Sequence, residues 1–212
     1  MLDLPFCQLN GRAIAASIAL LPMNLPKLLH ATRWINLLER DGWIFASRRR
    51  PEEPMRIDGV AIIALHAAQS SDRLHRLVVI EEFRVPIDRW EFGPPAGLLD
   101  ADEAVVECAA RELREETGLE VAEVRQCSGI TFSSPGLCDE SQALVVLTCS
   151  GTPSLRPGLE GERIRVHLLG RQDCRELLER NRLEQAAISA RLWPVLVAVA
   201  HAGSFAGVEI AE

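Results

Sequence analysis

Nine residues between Gly97 and Leu119 stand at a spacing that could gather carboxylates around a cation. Gly97, Glu103, Arg111, Glu112, Leu113, Glu115, Glu116, Gly118 and Leu119 follow the pattern G-x5-E-x7-R-E-U-x-E-E-x-G-U, where U is aliphatic. At roughly 5–7% abundance per residue type, chance yields such a match on the order of once in a billion windows. On a helix, Glu112 and Glu116 share one face, with Glu115 beside them. Three clustered carboxylates repel one another unless a cation lies among them. Oxygen donors of this hardness suit Mg2+ or Mn2+ rather than zinc. Arg111, one turn before Glu115, can orient a carboxylate from behind. A Glu-rich helix by itself would read as a solvated face, and Arg111 by itself as an exposed ion pair of little worth. The flanking Gly97 and Arg111 decide against that plain reading.

These side chains need a helix to hold them. Asp100 and Glu103 have capping-box spacing, which predicts a helix starting just after Asp100. Ala104 to Glu116 is rich in good helix formers, Val105, Ala109 and Leu113 supply a buried stripe, and Gly118 suits a left-handed helix end. Upstream, Leu28 to Arg40 reads as a helix, Trp43 to Arg49 as a strand, and Ile57 to Leu65 with Leu77 to Phe83 as a hairpin around the loop Ala67 to Asp72. Val85 to Arg89 turns the chain, and Gly93 to Gly97 is a loop feeding the central helix. Downstream come strands at Val121 to Ile130, Gln142 to Cys149 and Arg163 to Leu169, with a loop from Ser133 to Glu140. Asp173 to Arg180 and Glu184 to Ala202 are expected helices, the second interrupted by Pro194. Strands around a central helix with further helices outside predict an α+β fold, an α/β/α sandwich around a mixed β-sheet.

Composition narrows the class. A chain of 212 residues with 48% hydrophobic content supports one full core and a small appendage. The net charge of -7 argues against a nucleic-acid surface, and no apolar run is long enough to span a bilayer. Ala13 to Leu21 is a short apolar stretch, but Asp3 and the lone Arg12 make it a poor signal peptide. Six scattered cysteines without a C-x-x-C pair read as free thiols in a reducing cytoplasm. The expected division is an N-terminal extension over 1–56 and a catalytic domain over 57–212.

The nine-residue pattern is the Nudix box, and the chain resembles the Nudix hydrolases, which cut a diphosphate linked to another group. Beyond the box, over roughly residues 57–202, it is similar to the ADP-ribose and ADP-sugar pyrophosphatase branch. Glu82-Phe83-Arg84 with Pro86, the run Pro95-Ala96-Gly97-Leu98, and Ser134-Pro135-Gly136-Leu137 with Glu140 carry that likeness, together with Glu160-Gly161-Glu162 before a late strand. Pro135 stands where the branch keeps a marker proline. Gly93 departs from the pattern, because the branch usually has a glutamate there.

The resemblance implies hydrolysis of a nucleoside diphosphate sugar, ADP-ribose giving AMP and ribose 5-phosphate, with Mg2+ (or Mn2+) as cofactor. It implies Glu112, Glu116 and the carbonyl of Ala96 as metal ligands, Glu115 as a further candidate, and Glu162 as the base that orients or deprotonates water. Arg84 can grip a phosphate with its planar fork, Arg49 is a second candidate for that task, and Leu98 is placed to touch the nucleotide. Gly97, Glu103, Arg111, Gly118 and Pro135 serve the motif's structure. Trp34 and Trp43 read as core residues, with stacking on adenine as the alternative. Relatives imply a homodimer built through the N-terminal region. Two rivals stay open: a Nudix hydrolase of another nucleotide sugar, such as GDP-mannose or UDP-glucose, and a non-catalytic ligand-binding module of the same fold.

Overall fold

The computed structural model describes residues 24–67, 74–153 and 163–212. The apolar stretch Ala13 to Leu21, almost all of the Ala67 to Asp72 loop, and Glu160-Gly161-Glu162 lie outside them. β4 (Gly59–Ala67) organises the main sheet. Its sequence GVAIIALHA is apolar apart from His66, and all but its last residue are buried, as in a strand covered on both faces. Ile63 and Leu65 pack into a core with Leu177, Leu196 and Val199, while Ile62 and Ala64 pack into a second core with Val105, Ala109 and Leu113. The alternation along one strand therefore supplies both sides of the sheet.

Around β4 the sheet is mixed. β5 (His75–Arg84) joins it antiparallel near Leu65 to Ala67, and β10 (Ser141–Ser150) joins it parallel over its whole length. β8 (Glu120–Cys127) and the short β9 (Thr131–Phe132) extend the sheet from β10. β6 (Arg89–Gly93) and β11 (Ile164–Leu169) pair with β5, β7 (Ala96–Leu98) pairs with β4, and β12 (Ala187–Ile188) closes the edge on β6. Helix α1 (Val105–Thr117) covers one face; α2 (Arg171–Arg182) and α3 (Trp193–Ala202) cover the other. The expected α/β/α sandwich is the architecture found. Among the described residues no helix is long and apolar enough to cross a membrane.

The N-terminal part differs from its expected form. Leu28 to Arg40 is not a helix but two strands, β1 (Lys27–Ala31) and β2 (Asn36–Arg40), which form a separate antiparallel sheet with β3 (Trp43–Ser47). Asp41 and Gly42 both have positive φ (51° and 82°), the two-residue turn that matches strand twist in a hairpin. Trp34 and Trp43 are not core residues: they are 66% and 65% exposed, Trp34 in the β1–β2 connection and Trp43 at the start of β3, on a sheet that also exposes Leu37 and Ile44. β3 is tied to the main domain by backbone hydrogen bonds from Ala46 N–H to Leu137 O and from Asp139 N–H to Ala46 O.

Three further boundaries shift. The supposed loop Gly93 to Gly97 contains the end of β6 and the start of β7, and the Ile62 N–H donates to Pro95 O at 2.8 Å. Helix α1 starts at Val105, because Asp100 and Glu103 close a tight turn on each other instead: Glu103 N–H donates to Asp100 O and Asp100 N–H to the Glu103 carboxylate. Glu107 then reaches back to the Ala104 N–H. Pro194 opens α3 rather than interrupting it, as a first-turn proline can, since its missing N–H would have no helical partner there.

Candidate active site

The glycine at the front of the motif explains how its carboxylates are seated. A Cβ on Gly97 would stand 1.9 Å from the Glu112 carboxyl carbon, so only a glycine lets the helix carboxylate press against the β7 backbone. Gly59 of β4 packs behind in the same manner: its Cβ would lie 2.5 Å from the Gly97 carbonyl oxygen. β4, β7 and the Glu112 carboxylate are thus stacked without side chains between them. One turn further along α1, the Glu116 carboxylate accepts the Ala96 N–H at 2.9 Å. Both glutamates are largely buried, at 8% and 9% exposure.

Arg111 is the hub that makes this arrangement electrostatically tolerable. Its guanidinium donates to Glu103 through Nε and Nη2 (2.9 Å each), to Glu112 (2.8 Å), to Glu115 (3.1 Å) and to the Leu98 carbonyl (3.0 Å). The hydrogen bond from Arg111 holds the Glu103 carboxyl down at about 2, and the Glu103 partner in turn raises Arg111. Glu103 therefore acts as a brace for Arg111. Glu115, with its side chain 46% exposed, stands at the rim beside Arg111. Gly118 ends the helix in the expected left-handed conformation (φ 73°), its N–H donating to Arg114 O.

The donor set fits a hard divalent cation that is completed by substrate. Among the described residues no three His, Cys, Asp or Glu side chains converge into a closed metal cage. Glu112 and Glu116 offer two carboxylates, to which the resemblance adds the Ala96 carbonyl, and hard oxygen donors of this kind would suit a divalent cation. A family model described as NUDIX domain matches residues 55–192. The chain belongs to the Nudix family.

Individual relatives agree with that placement. The mouse ADP-sugar pyrophosphatase is 30% identical over 135 residues, 60% of this chain and 61% of that protein. The ADP-ribose pyrophosphatase of Escherichia coli K12 is 30% identical over 118 residues, 52% and 56% respectively. A Caenorhabditis elegans protein whose name assigns it to the nudix hydrolases is 40% identical over 94 residues, 44% of this chain and 41% of its own length. The chain thus spans about half the length of the curated relatives it matches. The solved structure of an ADP compounds hydrolase superposes with a TM-score of 0.49 at 19% identity, covering 85% of this chain and 97% of that one, a likeness too distant to bear on function.

Two cavities flank the Nudix motif. One, about 390 Å3, is lined by Ala96, Gly97, Leu98, Arg84 and Glu91, with Arg48 and Glu140 opposite. The other, about 700 Å3, runs past Leu98 to Trp34, Arg56 and the Asp100 to Glu103 turn. Leu98 and Arg48 belong to both, so the two form neighbouring compartments beside the motif. Within the first, Arg84 pairs with Glu82 (2.8 Å) and Glu91 (3.4 Å), and Arg48 pairs with Glu140 (2.7 Å).

The structure separates the remaining expected residues from this group. The Arg49 side chain is 3% exposed and is bound to Asp58 (2.7 Å) and Asp139 (3.0 Å) inside the fold, so its guanidinium joins β3 to the main domain and does not face either cavity. The basic run Arg48-Arg49-Arg50 concealed this, because it follows the end of β3 and only the middle arginine turns inward, between Asp58 and Asp139. Pro135 sits in an exposed turn closed by Leu137 and Cys138 N–H groups on Ser134 O and lines neither cavity. Glu162 lies outside the described residues. The sequence reading missed Ser189 and Arg191, which complete the wall of the smaller cavity; no motif marks them, and only the β12–β6 pairing brings them there.

Proposed function

We propose that this chain is a divalent-metal-dependent Nudix hydrolase that cleaves the diphosphate of a nucleoside diphosphate sugar, with ADP-ribose converted to AMP and ribose 5-phosphate. The observation carrying this reading is the seat of Glu112 and Glu116 behind the Ala96–Gly97 backbone, which itself lines a cavity. The names of the mouse and E. coli relatives support the ADP-linked substrate class. Glu112, Glu116 and the Ala96 carbonyl would hold Mg2+ (or Mn2+). When bound, such an ion would neutralise diphosphate charge and acidify a water molecule.

The chain's own residues have distinct parts in this reading. Arg111 orients Glu112, and Arg84 faces the cavity as a phosphate grip. Water attacks one phosphorus, its proton passes to a carboxylate base, and the bridging oxygen leaves with the other phosphate. Glu162 is assigned that base by resemblance. Trp34, exposed at the larger cavity, suits stacking on adenine with Leu98 beneath it. The exposed apolar face of the N-terminal sheet supports assembly as a homodimer. Free thiols at Cys108, Cys127, Cys138, Cys149 and Cys174 support a cytoplasmic setting.

The test is product release from ADP-ribose, ADP-glucose, GDP-mannose and UDP-glucose with Mg2+, in the wild type, Glu116→Gln and Glu162→Gln. AMP formation from ADP-ribose by the wild type, reduced by orders of magnitude in Glu116→Gln, is expected. A lower kcat with unchanged Mg2+ dependence is expected for Glu162→Gln; unchanged kcat removes it as the base. Preference for GDP- or UDP-sugars would move the substrate assignment while keeping the metal seat. Equal inertness of wild type and Glu116→Gln would favour a binding module.

A further inference from the structure

The smaller cavity contains three guanidinium groups, and two of them are already matched. Arg84 has Glu82 and Glu91, and Arg48 has Glu140. Arg191 lines the same cavity, half-buried, yet among the described residues its side chain makes no ion pair or hydrogen bond. Burial pulls its pKa down, while Glu140 and Glu91 act on it only through space and Arg84 opposes it. A cation stripped of part of its water and left without a partner is costly unless an anion arrives to replace what was lost.

Arg191 is also held in place. Ser189 N–H donates to Phe92 O at 2.8 Å, continuing the β12–β6 pairing. Arg191 N–H reaches Ser189 Oγ (3.4 Å), Leu192 N–H reaches Ser189 O (3.0 Å), and the Leu192 side chain is fully buried behind. Gly93 leaves this wall open, since the nearest atom to a Cβ there would be Ser189 Cβ at 3.7 Å. Arg191 does not belong to the Trp34 cavity, where the nucleoside is assigned, but to the compartment on the other side of Leu98.

We infer that Arg191 is a substrate-binding residue that grips the phosphate leaving with the sugar, the one farther from the nucleoside. This rests on the nucleoside diphosphate reading above. The guanidinium fork can donate two charge-assisted hydrogen bonds to that phosphate, so the linker before α3 becomes part of the recognition machinery.

Calorimetric titration with Mg2+ present separates the two readings. The probes are the α,β-methylene analogue of ADP-ribose, methylenediphosphonate (which has the two phosphoryl groups and no nucleoside) and AMP, against wild type, Arg191→Met and Arg191→Lys. Arg191→Met is expected to weaken the analogue and methylenediphosphonate at least about tenfold while AMP changes less than about twofold. Arg191→Lys should fall between, and it carries the test alone if Arg191→Met loses its folded far-UV signal. Equal methylenediphosphonate affinity in wild type and variants, or none in the wild type, overturns the role. An equal loss for AMP overturns the assignment to the far phosphate. If methylenediphosphonate needs Arg191 but the analogue does not bind the wild type, Arg191 stands as the anion grip and the ADP-ribose reading falls.

Discussion

Replacing Gly97 by alanine should disable the site while leaving the fold nearly intact. The added methyl would sit 1.9 Å from the Glu112 carboxyl carbon and from Oε1. Real Cβ contacts are essentially never shorter than 3.0 Å, so the carboxylate must retreat by about 1.1 Å, the difference between those values. Metal–ligand distances tolerate only about 0.2 Å, and a displacement of about 1 Å in a reacting constellation costs on the order of a hundredfold. The backbone itself has no objection, as Gly97 is absent from the positive-φ residues. Gly97→Ala is therefore expected to lose about two orders of magnitude in kcat/KM for ADP-ribose and to need more Mg2+ for half-maximal rate. Its thermal midpoint should stay close to that of the wild type, because the atoms that must move are the far end of the flexible Glu112 side chain. A variant within threefold of wild-type kcat/KM, with unchanged Mg2+ dependence, would refute the claim that Gly97 exists to seat Glu112.

Three other outcomes follow from the same structure. Arg49→Met leaves Asp58, whose side chain is 4% exposed, without its main cation, so urea unfolding should show a loss of about 3–5 kcal/mol. Glu103 is held at about 2 by Arg111, below its ordinary 4.5, so its stabilising contribution is complete above about pH 4.5 and fades as pH falls toward 2; Glu103→Gln should flatten that part of the acid-unfolding curve. Ile44→Asp places a charge on the exposed apolar sheet and should shift sedimentation from dimer to monomer, while an unchanged sedimentation coefficient would remove that face as the dimer contact.

The motif was legible because its parts lie within 23 consecutive residues and obey one helical period. Val105, Ala109 and Leu113 are buried as their spacing implies, and Gly118 ends the helix as a left-handed glycine should. Gly59 was not legible, since its role is to let β7 approach from another part of the chain. The N-terminal hairpin carried its own signal, Asp41-Gly42 between two β-prone runs, but the mixture of Leu and charged residues in 28–40 also matches a helix. Large aromatics are usually buried, so Trp34 and Trp43 read as core residues; only the N-terminal sheet and its β1–β2 connection expose them. Arg49 and Arg191 show the complementary difficulty. One arginine inside a basic run turned out to be buried between two carboxylates, and one outside every motif turned out to face the cavity.

The distribution of the cavity walls along the chain has a consequence for how this protein could change. The proposed metal seat is drawn from one continuous segment and the glycine behind it, so almost any alteration there would be felt by the chemistry. Arg84, Glu140, Ser189 and Arg191 come instead from the end of β5, the loop before β10 and the linker before α3, which can vary separately. A library limited to those positions would search substrate space at a constant reaction, and a homologous linker could be transplanted ahead of α3 as a cassette. Divergence of such enzymes toward new diphosphates is thereby a matter of exchanging borders around a fixed centre.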